Sequence, residues 1–191
     1  MEHLSGNSKP TWRCLILQFR LRTILIAVSL TSLPLGFWAS RISQQTSVIN
    51  WIETNGGSAG YDYHWHGNGA FGLPTAPRWL TDITGLDPFA SIHNVEFPNA
   101  QIENIEPLSR LPYLERVWLD HSSVSDISPL SKNDRLIELN IGGTSVSNFS
   151  PLKNHDNLLW LIVPDSVSID KLEELRLWLP QCEIYRVSGP H

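Results

Sequence analysis

Apolar positions recur along this chain with a period of 22 residues. Shifted by 22, the sequence lands on itself. Leu114, Leu136 and Leu158 align, as do Val117, Leu139 and Leu161, then Leu119, Ile141 and Val163. Pro107, Pro129 and Pro151 form a further column, each followed by a leucine, and Ile102, Val124 and Val146 complete the set. Running back by 22 finds Leu86, Phe89, Ile92, Val95 and Phe97, so the array spans about 86–167. A repeat of this length cannot bury its own apolar face, so neighbouring copies must stack around a shared core. Each period predicts one short strand, around Val117–Leu119, Leu139–Ile141 or Leu161–Val163. The segment Asn148-Phe149-Ser150-Pro151 and its equivalents predict a tight turn or a short 3₁₀ segment on the return arm.

A different pattern precedes the array. Thr23 to Ser40 is a run of 18 residues without a charge. As a helix it would span roughly 27 Å, just enough for a hydrocarbon core. Lys9, Arg13, Arg20 and Arg22 against Glu2 give residues 1–22 a net charge of +3, and only Arg41 closely follows the run. The positive-inside rule then reads 1–22 as a basic cytoplasmic tail, 23–40 as a transmembrane helix in contact with lipid, and the remainder as displayed outside the cytoplasm. Trp12 and Trp38 lie where interfacial aromatics belong. A cleaved signal peptide and a buried soluble helix are the alternatives; a cut after Ala39 would leave Phe37 at a position that wants a small residue. In the anchored arrangement Cys14 and Cys182 lie on opposite sides and cannot pair.

The flanks of the array read as caps. Ile42, Gln45, Ile49 and Ile52 stand at helical spacing before the stop Asn55-Gly56-Gly57, which gives a juxtamembrane helix over 41–57. Tyr61, Tyr63 and Trp65 alternate with Asp62, His64 and His66, as in a strand with an aromatic inner face. With a Gly/Pro loop and a short helix at Pro77–Gly85, this makes an N-terminal cap over 58–85. Beyond the array, Leu172, Leu175 and Leu179 stand at helical spacing within Ile169–Leu179. Pro180 and a short strand Cys182–Tyr185 follow, closing a C-terminal cap and tail over 168–191.

Composition narrows the classes. Of 191 residues 41% are hydrophobic and 17% charged, which excludes a disordered polyelectrolyte. Two cysteines exclude a disulfide scaffold, and a net charge of −5 argues against a nucleic-acid binder.

The repeat, with its L-x-x-L-x-L core and its D-I-S-P-L element, resembles the leucine-rich repeat family. Its 22-residue length is most similar to the short repeats of internalin-type proteins. The resemblance covers about 86–187 and implies an α/β solenoid, with parallel strands on a concave face and irregular or 3₁₀ return arms. The position often held by Asn in the family is Ala100, Ser122, Thr144 and Ser166 here. The order of the whole chain resembles small single-span membrane-anchored bacterial leucine-rich-repeat proteins. That likeness rests on Phe19-Arg20-Leu21-Arg22-Thr23 before the run and on Gly56-Gly57-Ser58-Ala59-Gly60-Tyr61-Asp62-Tyr63 after it.

Between the core positions of each strand, residues face the concave sheet. Asn94, Arg116, Glu138 and Trp160 form one row; Glu96, Trp118, Asn140 and Ile162 form the next. Arg116, Trp118, Glu138, Asn140, Trp160 and Ile162 are the candidate partner-binding residues, with a protein as the expected partner. No carboxylate pair, Ser–His–Asp set or Cys–His set forces catalysis, so the chain reads as no enzyme, with no cofactor and no catalytic residue. Gly67-Asn68-Gly69-Ala70-Phe71-Gly72 matches G-x-G-x-x-G, but it lacks the buried strand before and helix after that a nucleotide site needs. Asp62, His64 and His66 share one strand face, yet no fourth metal ligand accompanies them. The function expected is a membrane-anchored interaction module outside the cytoplasm. The alternatives are a structural envelope component and a metal-dependent enzyme using 61–72.

Overall fold

The computed structural model describes residues 22–23, 26, 28–29, 32, 40, 42–61, 76, 78–84, 90–98 and 100–187. The chain divides into one unit up to Ser43 and another from Gln44 onward. In the first unit residues 22, 23, 26, 28, 29, 32 and 40 are helical, and Ile26 and Val28 are exposed. Among the described residues no helix is long and apolar enough to cross a membrane. Most of the 23–40 run lies outside the described residues, as do Trp12, Cys14, Tyr63 and Trp65.

The second unit is built around one six-stranded sheet whose strands follow chain order. A helix, α1, occupies residues 44–54 of this unit. It leads into β1 (Ser58–Tyr61), and a short helix, α2 (Arg78–Thr84), precedes β2 (Ile92–Glu96). Then come β3 (Arg116–Trp118), β4 (Glu138–Asn140) and β5 (Trp160–Pro164), with 3₁₀ turns at Glu106–Arg110, Ser128–Lys132 and Ser150–Leu152 between them. The helix α3 (Ile169–Trp178) and the strand β6 (Glu183–Val187) close the unit. β1 runs antiparallel to β2; every later neighbour pair is parallel. Val95 pairs with Val117, Val117 with Leu139 and Leu139 with Leu161, each 22 residues further on. The fold is a repeat solenoid of parallel strands at 22-residue steps.

The reason these residues stack is visible column by column. Leu114, Leu136 and Leu158 are at most 1% exposed, and Val117, Leu139 and Leu161 are fully buried, as are Leu119, Ile141 and Val163. Each strand thus presents its apolar residues to one continuous core, which no single copy could enclose. The return arm is held by a column of short polar side chains. Asn104 Oδ1 accepts from Glu106 N at 2.8 Å, Asp126 Oδ1 from Ser128 N at 2.8 Å, and Asn148 Oδ1 from Ser150 N at 3.1 Å. These Asx turns start each 3₁₀ segment, and the proline that follows supplies its fixed φ. At Asp126 the hydrogen bonds from the Ser128 amide and hydroxyl hold the carboxyl below its ordinary pKa.

One column departs from the apolar pattern. Leu111, Asn133 and His155 occupy equivalent positions, and all three are buried. Asn133 Nδ2 donates to the carbonyls of Leu108 (3.2 Å) and Leu111 (2.8 Å) in the preceding turn. His155 Nε2 lies 3.1 Å from the Leu130 carbonyl in the same relation. Those carbonyls already accept from the backbone, Leu108 from Leu111 N and Leu130 from Asn133 N. The side chains therefore use the second lone pair and tie one turn to the next. In the column of Ala100, Ser122, Thr144 and Ser166, Thr144 Oγ1 donates to the Ile141 carbonyl at 2.7 Å. The Ser122 hydroxyl is buried without a partner, and Ser166 is exposed.

The ends are covered by different means. α1 reads from sequence as a juxtamembrane helix, yet Val48 and Ile52 belong to the same core as the repeats, and the Trp51 ring meets Phe97 edge-on at 5.4 Å. Gln45 is also buried, with Nε2 donating to the Ala90 carbonyl at 3.2 Å. The helix stops where Gly56 takes φ 75° and Gly57 N donates to the Ile52 carbonyl at 2.9 Å, a turn that favours glycine. At the far end Ser168 caps α3 by accepting from Lys171 N, and Leu175 and Leu179 are buried. The ammonium groups of Lys153 and Lys171 sit 4.3 and 4.8 Å from the Trp178 ring centroid. The last strand starts one residue later than the sequence predicts and runs on to Val187, paired in parallel with β5.

Candidate functional site

In each repeat strand the middle residue enters the core and its two neighbours project from the opposite face. The pairing register then lines up those neighbours across the sheet. Asn94, Arg116, Glu138 and Trp160 are successive partners, and β6 extends their row with Glu183. Glu96, Trp118, Asn140 and Ile162 form the second row, extended by Tyr185. On the other side β1 sets Gly60 beside Asn94 and Ser58 beside Glu96.

All six residues singled out from the sequence thus share one face. Trp118 is 40% exposed and Trp160 43%, far more than a core position allows. Arg116, Glu138, Asn140 and Ile162 are half-buried between them. The face holds a concavity of about 790 Å³ lined by Asn94, Glu96, Arg116, Trp118, Glu138 and Trp160 together with β1.

Polar contacts fix how these groups stand. Trp118 Nε1 donates to Glu138 Oε1 at 2.8 Å, and Arg116 Nε lies 3.6 Å from Glu138 Oε2. Asn140 Nδ2 donates to Asp120 Oδ1 at 3.2 Å, while its own Oδ1 accepts from Gly142 N at 3.0 Å. Ser58 Oγ donates to Glu96 Oε1 at 2.8 Å. Tyr185 Oη donates to Glu183 Oε2, and that bond, with the carboxylate charge, raises the phenol above its ordinary pKa. The indole of Trp118 is held by its ring nitrogen while its ring remains exposed, an arrangement that presents apolar surface at little cost in side-chain order.

Glu183 and Tyr185, like Ser58 and Gly60 of β1, belong to this surface without having been singled out from the sequence. The strand containing Glu183 and Tyr185 was legible; its parallel pairing with β5, which puts them in the same rows as Trp160 and Ile162, was not.

Among the described residues no group of three or more His, Cys, Asp or Glu side chains could hold a metal ion. Cys182 is half-buried, and burial followed by the charge of Glu183 pushes its thiol up to about 11, so it stays protonated at neutral pH. Asp62, His64, His66 and the Gly67–Gly72 loop, the other candidates for chemistry, lie outside the described residues.

No protein-family model and no curated protein matches the chain. Among solved structures it is similar to an internalin from Listeria monocytogenes, at 25% identity over 51% of this chain and 28% of that one, with a TM-score of 0.42. It is also similar to internalin C2 of the same organism, at 26% identity over 47% and 41% of the two chains and a TM-score of 0.38. A third is a leucine-rich repeat protein of Leptospira interrogans, at 21% identity over 43% and 22%, with a TM-score of 0.40. The chain spans less than half the length of each of them.

Proposed function

We propose that this chain is an interaction module that takes a protein partner on the sheet face carrying Trp118 and Trp160. The observation that supports the reading most is the exposure of those two indoles on one face, above a core whose own apolar columns are closed. Exposed aromatics clustered on a pre-shaped concavity are the usual make-up of an interface hot spot. In this reading the charge-free run 23–40 anchors the module in a membrane, and the excess of cations before it leaves the repeats displayed outside the cytoplasm. The module is not an enzyme; its work is recognition.

A photoreactive amino acid placed at Ile162, on the proposed face, tests this against one placed at Lys132, on the exposed return arm. Irradiation of cells carrying the full chain should give a discrete cross-linked partner from position 162 and none from position 132. Identical products from both positions, or none from 162, would remove the sheet face as the site.

A further inference from the structure

The chemistry of the face narrows the partner. In the row Glu138, Trp160, Glu183 the tryptophan is the cross-strand partner of a glutamate on each side, on strands spaced about 4.8 Å apart. In the next row Glu96 is the cross-strand neighbour of Trp118. Each of these three glutamates is oriented by a neutral donor: Glu96 by the Ser58 hydroxyl, Glu138 by the Trp118 indole and Glu183 by the Tyr185 phenol. A neutral donor fixes the position of a carboxylate and leaves its charge in place. Among the described residues of the two rows the only cation is Arg116, already beside Glu138. The face therefore combines indole rings, whose faces attract cations, with fixed carboxylates and a charge balance of one Arg against three Glu.

Resting on the reading above, we infer that the partner docks a basic, unfolded-chain segment on this face. One lysine or arginine cation lies over the Trp160 ring between Glu138 and Glu183, and a second lies over Trp118 beside Glu96. Such a cation is favoured twice, by the ring quadrupole and by the flanking charge, whereas an acidic segment would meet like charge in both rows. The acidic balance of residues 41–191, ten cations against eighteen acids, draws a basic partner in from a distance as well.

The full chain in non-ionic detergent is titrated against a fluorescent peptide of Lys, Gly and Ser. Parallel titrations use its Gln-for-Lys and Glu-for-Lys counterparts and a chitooligosaccharide. The lysine peptide should bind saturably, lose affinity as salt is raised, and bind at least about tenfold more tightly than the glutamine peptide. Trp160→Ala, and separately the pair Glu138→Gln with Glu183→Gln, should each weaken it about tenfold without lowering the melting temperature. The glutamine substitution keeps an acceptor for Trp118, so the surface is not dismantled. Equal binding of the lysine and glutamine peptides, binding of the oligosaccharide alone, or unchanged affinity in the variants would overturn the basic-segment assignment. Should the cross-link from position 162 still trap a partner in that event, the interaction-module reading stands and only its charge preference falls. Should neither occur, both fall.

Discussion

His155 Nε2 lies 3.1 Å from the carbonyl oxygen of Leu130, one turn earlier in the stack, with the imidazole almost wholly buried. The contact requires Nε2 to carry a proton, which leaves Nδ1 as an acceptor, and Nδ1 has no partner. Protonation would therefore place a charge on a buried ring, where burial penalises it. Burial lowers the His155 pKa from its ordinary value; the Leu130 carbonyl, the nearby Asp134 charge and the backbone of Leu152 and Asn133 offset only part of that effect.

The sign of the pH dependence follows. The unfolded chain binds a proton at His155 below about pH 6.5, and the folded chain binds it only at lower pH. Stability from this group is complete above about pH 6.5 and falls as pH drops toward the folded pKa, by at most about 1.4 kcal/mol per pH unit. His155→Leu restores the residue that Leu111 supplies in the same column and removes the titration. Thermal melts of the full chain at pH 7.5 and 5.5 should show a larger loss for the native chain than for His155→Leu. Equal losses would mean that His155 is not buried neutral.

Register can be tested at Leu139, which is fully buried in β4 between Val117 and Leu161. Leu139→Ala should lower unfolding free energy by about 2–5 kcal/mol, as truncated core leucines do. Lys132→Ala, on the exposed return arm, should change it by less than about 0.5 kcal/mol. Denaturant titration of both variants measures the difference; comparable small effects would contradict the register.

The repeat was legible because every copy meets the same surroundings, so a column such as Leu114, Leu136, Leu158 carries one signal three times over. What the period could not show is what meets the ends of the stack. The helical spacing of Gln45 and Ile52 marked an inward face of α1, but a local pattern cannot name the surface that face meets, here the core around Phe97. Asn133 and His155 were missed for a related reason. Their column begins with Leu111, and a polar residue at a core position reads as surface until the neighbouring turn offers its carbonyl. The face holding Trp118 and Trp160 followed from alternation along short strands. Glu183 and Tyr185 join it only through long-range strand pairing that no local spacing encodes.

Topology is tested separately. Four cations before the 23–40 run and Arg41 soon after it set the expected orientation. A reporter active only outside the cytoplasm should work when fused after His191, and a reporter that needs the cytoplasm should stay silent there. The reverse pattern would place the repeats on the other side.

In the proposed function the solenoid holds Trp118 and Trp160 out of its core for a partner. This is tested most directly by measuring partner capture and thermal unfolding together in the full chain carrying Trp118→Ala and Trp160→Ala. At 40% and 43% exposure, their loss should leave the melting temperature close to that of the native chain while abolishing the cross-linked partner. A large drop in melting temperature with the cross-link retained at native yield would place both indoles in the structural core and remove the binding face.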